Sequence, residues 1–154
     1  MTVLYLMCGI PGSGKSTWIA KNKIDTDVLI SRDAVRFSLV KEEEEYFSKE
    51  TEVFNTFIEQ INEAIDKGVS TIYVDATHIN ENSRNKVLDR LHLSEEVKVT
   101  PVFVNEKLVT CLLRNSLREG RENVPSKVVT QMHRNLRPPT FHEKHHYASI
   151  VYVN

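Results

Sequence analysis

Gly9-Ile10-Pro11-Gly12-Ser13-Gly14-Lys15-Ser16-Thr17 is the stretch that decides the fold. Ahead of it, Val3-Leu4-Tyr5-Leu6-Met7-Cys8 reads as a buried strand; behind it, Trp18 to Lys23 reads as a helix. Strand, G-x-x-x-x-G-K-[ST], helix is the setting of a phosphate-binding loop. A glycine-rich backbone wraps closely around phosphate oxygens, so that consecutive N–H groups and the helix N-terminus face the anion. Lys15 adds a mobile positive charge for the outer phosphates, and Ser16 supplies a hydroxyl to Mg²⁺. Gly9, Pro11, Gly12, Ser13, Gly14, Lys15, Ser16 and Thr17 are therefore the candidate residues for holding ATP.

Working outward, 154 residues fit one domain with a real core. The apolar and charged fractions are those of an ordinary globular protein. The net charge of −1 supplies no global basic field, so a nucleic-acid site has to be a local groove. Cys8 and Cys111 lie in apolar runs without C-x-x-C spacing, which suits buried, reduced thiols in a cytoplasmic protein. The N-terminus lacks the basic start of a signal peptide, and no apolar run reaches membrane-spanning length.

Downstream of the loop, Asp27-Val28-Leu29-Ile30-Ser31 has strand character and Ala34 to Leu39 has helical character. Parallel α/β sheets bind ligands at the carboxyl ends of strands, which puts Asp33 and Arg36 on the same rim as the phosphate loop. Asp33 is a candidate general base for an attacking hydroxyl. Arg36, three residues on, shares its helix face and suits an anionic acceptor group. The plainer alternative is that Asp33 caps a helix and pairs with Arg36.

Lys41-Glu42-Glu43-Glu44-Glu45 reads as a solvated helix face or loop. Phe54, Phe57, Ile58, Ile61 and Ile65 follow helical spacing, a stripe for core packing rather than for stacking bases, and Lys67-Gly68 stops that helix. Val69 to Asp75 reads as a strand ending on an acid, the position that holds Mg²⁺ directly or through water. Asp33 and Asp75 both suit the metal. Asn80 is expected to cap a helix carrying Val87, Leu88 and Leu91, with His78 and Arg84 in structural or solvated roles.

Val97 to Val104 reads as a further strand, in which Pro101 implies an edge or an irregularity. Asn105 is a candidate cap for a helix with Leu108, Val109, Leu112 and Leu113 as its apolar face. That helix leads into Arg114, Arg118 and Arg121, the concentrated basic cluster of the chain, which suits a mobile lid over the phosphates at about 114–124. A solvated helix end is the alternative. Val124-Pro125-Ser126 opens a last helix, with Val128, Val129, Met132 and Leu136 on one face. His142-Glu143-Lys144-His145-His146 matches H-E-x-x-H, the zinc-protease signature, but that chemistry needs a sustained helix and a third ligand. Prolines precede it and the apolar strand Ile150 to Val153 follows at once, so a polar loop is expected.

G-x-P-G-S-G-K-S-T-W, S-R-D-x-x-R, V-D-A-T-x-x-N, R-N-S-x-R and V-P, in that order from Gly9 to about Leu136, resemble the P-loop kinase domain of phage-type 5′-polynucleotide kinases. The resemblance implies ATP-dependent phosphorylation of a DNA or RNA 5′-hydroxyl. By motif position, Lys15 and Ser16 would bind the ATP phosphates and Mg²⁺. Asp33 would activate the hydroxyl, Arg36 would hold the acceptor's phosphate, Asp75 would be the strand-end acid and Arg118 the lid arginine. Arg114 and Arg121 would join the nucleotide site, the latter by proximity alone. The D-x-D-G-T signature of the family's phosphatase domain is absent, which implies a kinase-only version.

The expectation is one P-loop α/β domain over residues 1–154, with a parallel sheet of about five strands flanked by helices. The leading reading is a polynucleotide 5′-hydroxyl kinase. A small-molecule kinase acting on a nucleoside, sugar or antibiotic hydroxyl is the alternative, and an ATPase or switch without an acceptor is a third reading.

Overall fold

The computed structural model describes residues 1–154. Five strands, β1 (Thr2–Cys8), β2 (Val28–Ser31), β3 (Thr71–Asp75), β4 (Val97–Val104) and β5 (Val151–Val153), form one sheet in the order β2-β3-β1-β4-β5. Every pairing is parallel, so the expected sheet is present. Six helices connect and cover it: α1 (Lys15–Asn22), α2 (Arg32–Leu39), α3 (Glu50–Asp66), α4 (Glu81–Leu88), α5 (Leu108–Ser116) and α6 (Ser126–Asn135).

The side-chain period of two divides β1 between two cores. Leu4 and Leu6 join Val53, Phe57, Ile58 and Ile61 of α3 and Val87 and Leu88 of α4. Met7 points the other way, to Ile19 of α1, Tyr73, Val102 and Val104. On that second face Tyr5 stacks on Tyr73 at 5.1 Å, and Trp18 meets Tyr5 edge-on at 5.5 Å, fixing α1 against the sheet. The expected core role of the α3 stripe therefore holds. Asn80 caps α4 through a reciprocal pair with Ser83, as its position implied.

Three local expectations are corrected. Pro101 is on an interior strand, but β5 joins β4 only from Val102, so the proline falls where the outer side of β4 has no ladder partner. Asn105 does not cap α5: its backbone N–H donates to the Val153 carbonyl, and the helix starts after Lys107. The buried face of α5 is Cys111 and Asn115, whereas Val109 and Leu113 are 73% and 62% exposed. That rotation follows from the phosphate loop. A Cβ at Gly12, whose φ is +83°, would lie 2.5 Å from the Cys111 carbonyl oxygen, so the loop packs directly on the backbone of α5.

The parallel arrangement brings the carboxyl ends of β1, β2 and β3 to one rim. Ser31 at the end of β2 is in register with Asp75 at the end of β3. The phosphate loop, Asp33 and Asp75 thus open into the same cleft, as expected of ligand sites in such sheets. No helix is long and apolar enough to cross a membrane.

Candidate active site

The cleft is a cavity of about 1040 Å³ that runs from the phosphate loop across Asp75 to the start of α2. Of the residues singled out in sequence, Pro11, Gly12, Ser13, Gly14, Lys15, Ser16, Thr17, Asp33, Arg36, Asp75, Arg114 and Arg118 all line it. Gly9 is buried directly beneath, where a side chain would meet Ser13 Oγ and the Val104 carbonyl.

Gly14, at φ +109°, turns the chain into α1, so that Lys15 and Ser16 open the helix and its free N–H groups face the cleft. Lys15 Nζ folds back onto the carbonyls of Gly9 (2.9 Å) and Ile10 (3.2 Å), which keeps it curled over the loop. Burial pulls its pKa down, and the carboxylate of Asp75 opposes this. Burial likewise raises the Asp75 carboxyl above its ordinary value, against the pull of Lys15. Asp75 Oδ1 and Ser13 Oγ are buried without a partner. An orphaned buried carboxylate oxygen beside a phosphate loop fits a divalent cation, with the Ser16 hydroxyl as a second oxygen donor.

On the far side of the cleft, Ser31 rather than Asp33 caps α2, accepting from the Ala34 N–H at 3.2 Å. Asp33 is left 61% exposed, and Arg36 Nη1 donates to its Oδ1 at 2.5 Å. Arg36 itself is buried and already engaged. Its Nε and Nη2 make a two-pronged bond to Glu50, both at 2.8 Å, and Nη1 also donates to the Tyr46 hydroxyl. Burial lowers the Arg36 pKa, but the Glu50 bonds outweigh this and hold it above the ordinary value; the same bonds hold Glu50 below its own. The Tyr46 hydroxyl donates in turn to Asp33 Oδ1 at 3.3 Å. The expected pair of Asp33 and Arg36 is thus one corner of a four-residue network. Arg32 also lines the cleft, and its buried Nε has no partner.

Over the phosphate loop, Arg114 Nη1 donates to the Gly12 carbonyl at 3.2 Å and Nη2 pairs with Glu106 at 3.6 Å. Buried Asn115 pins the segment that follows, donating to the Val124 carbonyl and accepting from its N–H. Arg121, expected beside the nucleotide, lies elsewhere. Its guanidinium covers the Phe37 ring at 4.6 Å and donates to the Val40 carbonyl, which ties the turn Gly120–Glu122 to the end of α2.

His78 and Arg84 support the cleft from behind. His78 is buried at φ +39°, with Nδ1 2.6 Å from the Met7 carbonyl. Arg84 is wholly buried; it donates to the His78 and Arg137 carbonyls and makes a two-pronged pair with Glu143 at 2.9 and 2.7 Å. Residues 141–146 form turns rather than a helix, and the glutamate that a zinc protease would use as its base is spent on Arg84.

Burial lowers the His78 pKa from 6.5 to about 4, while its bond to Met7 opposes the shift. The ring stays neutral in the folded protein where an unfolded chain would take a proton. The His78 contribution to stability is therefore unchanged above pH 6.5, falls as the pH drops from 6.5 towards 4, and levels off below. The shift corresponds to roughly 3 kcal/mol. Asparagine tolerates a positive φ, so His78→Asn should flatten that part of the pH dependence, read as urea-denaturation free energy at pH 7, 5.5 and 4. A wild-type slope persisting unchanged in the variant would assign the loss to other groups.

Residues 4–139 match a family described as the AAA domain. Several solved structures share the fold. One described as the Pnkp1/Rnl/Hen1 RNA repair complex is 18% identical, with a TM-score of 0.71 over 88% of this chain and 44% of that one. A sugar kinase from Janibacter sp. HTCC2649 is also 18% identical, with a TM-score of 0.66 over 99% of this chain and 85% of that one. A fungal RNA kinase is 11% identical, with a TM-score of 0.65 over 99% of this chain and 74% of that one. The chain thus spans less than half of the first of these proteins. No curated protein matches it. The phosphate loop, the parallel sheet and the cleft at the strand ends together carry the P-loop NTPase/kinase fold, and the match over residues 4–139 means that the chain belongs to the AAA domain family.

Proposed function

We propose that this protein transfers the γ-phosphoryl group of ATP to a hydroxyl, and that the acceptor is the 5′-hydroxyl end of a DNA or RNA strand. The observation that carries the reading is Asp33, an exposed carboxylate facing the phosphate loop across one cleft and held there by Arg36 and Tyr46. A nucleotide switch has no need of a carboxylate fixed on the acceptor side. In the proposed reaction, the acceptor oxygen bonds to the γ-phosphorus as the bond to the ADP oxygen breaks, and the hydroxyl proton passes to Asp33. Lys15 and Arg118 offset charge on the phosphates, and Arg114 braces the loop through Gly12. Ser16 and Asp75 would hold Mg²⁺, which supplies charge neutralisation on the phosphates when bound. Free, buried Cys8 and Cys111 suit a reducing compartment such as the cytoplasm.

Likeness of fold to a fungal RNA kinase and to a protein of an RNA repair complex supports a polynucleotide acceptor and a role in nucleic-acid end repair. Two observations favour a second reading, a small-molecule acceptor such as a sugar. Arg36, which the resemblance would give to the acceptor's phosphate, is committed to Glu50. The exposed acids Glu42, Glu43 and Glu45 immediately precede the cleft-lining Tyr46 and Phe47 in sequence, and acidic charge there disfavours a phosphodiester chain. The experiment that separates the readings is transfer from γ-labelled ATP to a panel of 5′-hydroxyl DNA, RNA, nucleosides and sugars. Label on the nucleic-acid ends is expected. Label on small molecules alone would sink the polynucleotide reading, and phosphate released without any labelled acceptor would sink the phosphotransferase reading altogether.

A further inference from the structure

The loop between α2 and α3 carries two adjacent aromatic residues immediately after the acidic run, Tyr46 and Phe47, and both line the acceptor end of the cleft. Phe47 is 49% exposed although two packing partners lie within reach. Tyr46 meets it edge-on at 4.6 Å and the Arg36 guanidinium lies 5.6 Å from its centre, so the ring is held in place while half its surface faces solvent. The third ring of this wall, Phe37, is occupied by Arg121. Tyr46 is the link to the chemistry, because its hydroxyl donates to Asp33 Oδ1.

We propose that Phe47, braced by Tyr46, is a stacking platform for the nucleobase of the acceptor's terminal nucleotide. The proposal rests on the reading of Asp33 as the acceptor-side base. Its chemistry is that of an aromatic face beside a carboxylate. A base laid on Phe47 would bring its own sugar hydroxyl towards Asp33, since ring and carboxylate share Tyr46 as a common support. Arg36 beside the ring is already paired with Asp33 and Glu50, so Phe47 offers the end a flat apolar face rather than a free charge. A stack of this kind tolerates every base, and the acceptor is selected for having one.

The test uses the full chain, ATP and two 5′-hydroxyl oligonucleotides that differ only at the terminal residue, one carrying a base and the other an abasic deoxyribose. Loss of one stack should raise KM for the abasic end by roughly 5- to 150-fold, with kcat little changed. Phe47→Ala should raise KM for the normal end by a similar factor and leave the abasic end unaffected, and Phe47→Trp should restore the preference. A 2-aminopurine at the terminal position should be quenched on binding to the wild type and to Phe47→Trp, but not to Phe47→Ala. Equal KM for both ends in the wild type would overturn the platform while leaving the phosphotransferase reading intact. Label passing to sugars and to neither oligonucleotide would overturn the polynucleotide reading, and the platform with it.

Discussion

Asp33→Asn is expected to lower phosphoryl transfer by about 10²- to 10⁴-fold while leaving ATP affinity close to that of the wild type. The substitution is nearly isosteric, and the amide oxygen can still accept from Arg36 Nη1 and the Tyr46 hydroxyl. The Arg36–Glu50 pair, which makes two of its bonds at 2.8 Å, does not involve Asp33 and should hold the start of α2 in place. What disappears is the capacity to take a proton from the acceptor hydroxyl. The loss should therefore appear in kcat, with little change in KM for either substrate. Single-turnover transfer from γ-labelled ATP, with nucleotide binding measured separately by calorimetry, checks both halves. Transfer at the wild-type rate would remove Asp33 from the base role and shift attention to Asp75 as the acid that matters.

The proposed donor half of the site is legible in the chain because its chemistry is local. The loop from Gly9 to Thr17 places its glycines, lysine and serine by consecutive backbone geometry, and Asp75 follows from an apolar strand ending on an acid. The proposed acceptor half is legible only at its first residues. Asp33 and Arg36 are three apart on one helix, and their pairing could be read from spacing. Glu50 and Tyr46, which decide what Arg36 is free to do, lie 14 and 10 residues from it, with an irregular loop between. No periodicity reports a bond formed across such a loop. The same limit explains α5. Leu108, Val109, Leu112 and Leu113 have the spacing of a buried stripe, but the requirement that the Cys111 carbonyl meet Gly12 turns Val109 and Leu113 to the surface. Arg121 fails for the reverse reason. Nearness in sequence to Arg114 and Arg118 suggested the nucleotide, whereas an aromatic face and an open carbonyl at the end of α2 capture it. Tertiary partners override local charge patterns wherever they can desolvate and saturate a guanidinium.

Arg84 and Glu143 carry that principle furthest, and Glu143→Ala should destabilise the fold by about 3–5 kcal/mol, the range found when one partner of a buried ion pair is removed. The Arg84 side chain is 0% exposed and that of Glu143 4%, so no solvent reaches the guanidinium to compensate. The loss also strips an acceptor from the Tyr147 hydroxyl, which donates to Glu143 Oε1 at 2.8 Å, and from the Thr140 N–H. Arg84 further fastens the His78 and Arg137 carbonyls, so the segment that follows Asp75 and the chain beyond α6 are tied to one side chain. A double variant, Arg84→Met with Glu143→Leu, removes both charges at similar volume and should recover only the part of the single variant's deficit due to the unpaired charge. The Tyr147 hydroxyl, the Thr140 N–H and the His78 and Arg137 carbonyls still lose their partners. Urea denaturation of the wild type, Arg84→Met, Glu143→Leu and the double forms a cycle whose coupling energy reports on the pair. A Glu143→Ala protein within about 0.5 kcal/mol of the wild type would mean that residues 140–147 rearrange to let water reach Arg84. If the pair acts as described, weakening it loosens the backbone that follows Asp75, and transfer activity should decline with stability even though neither residue lines the cleft.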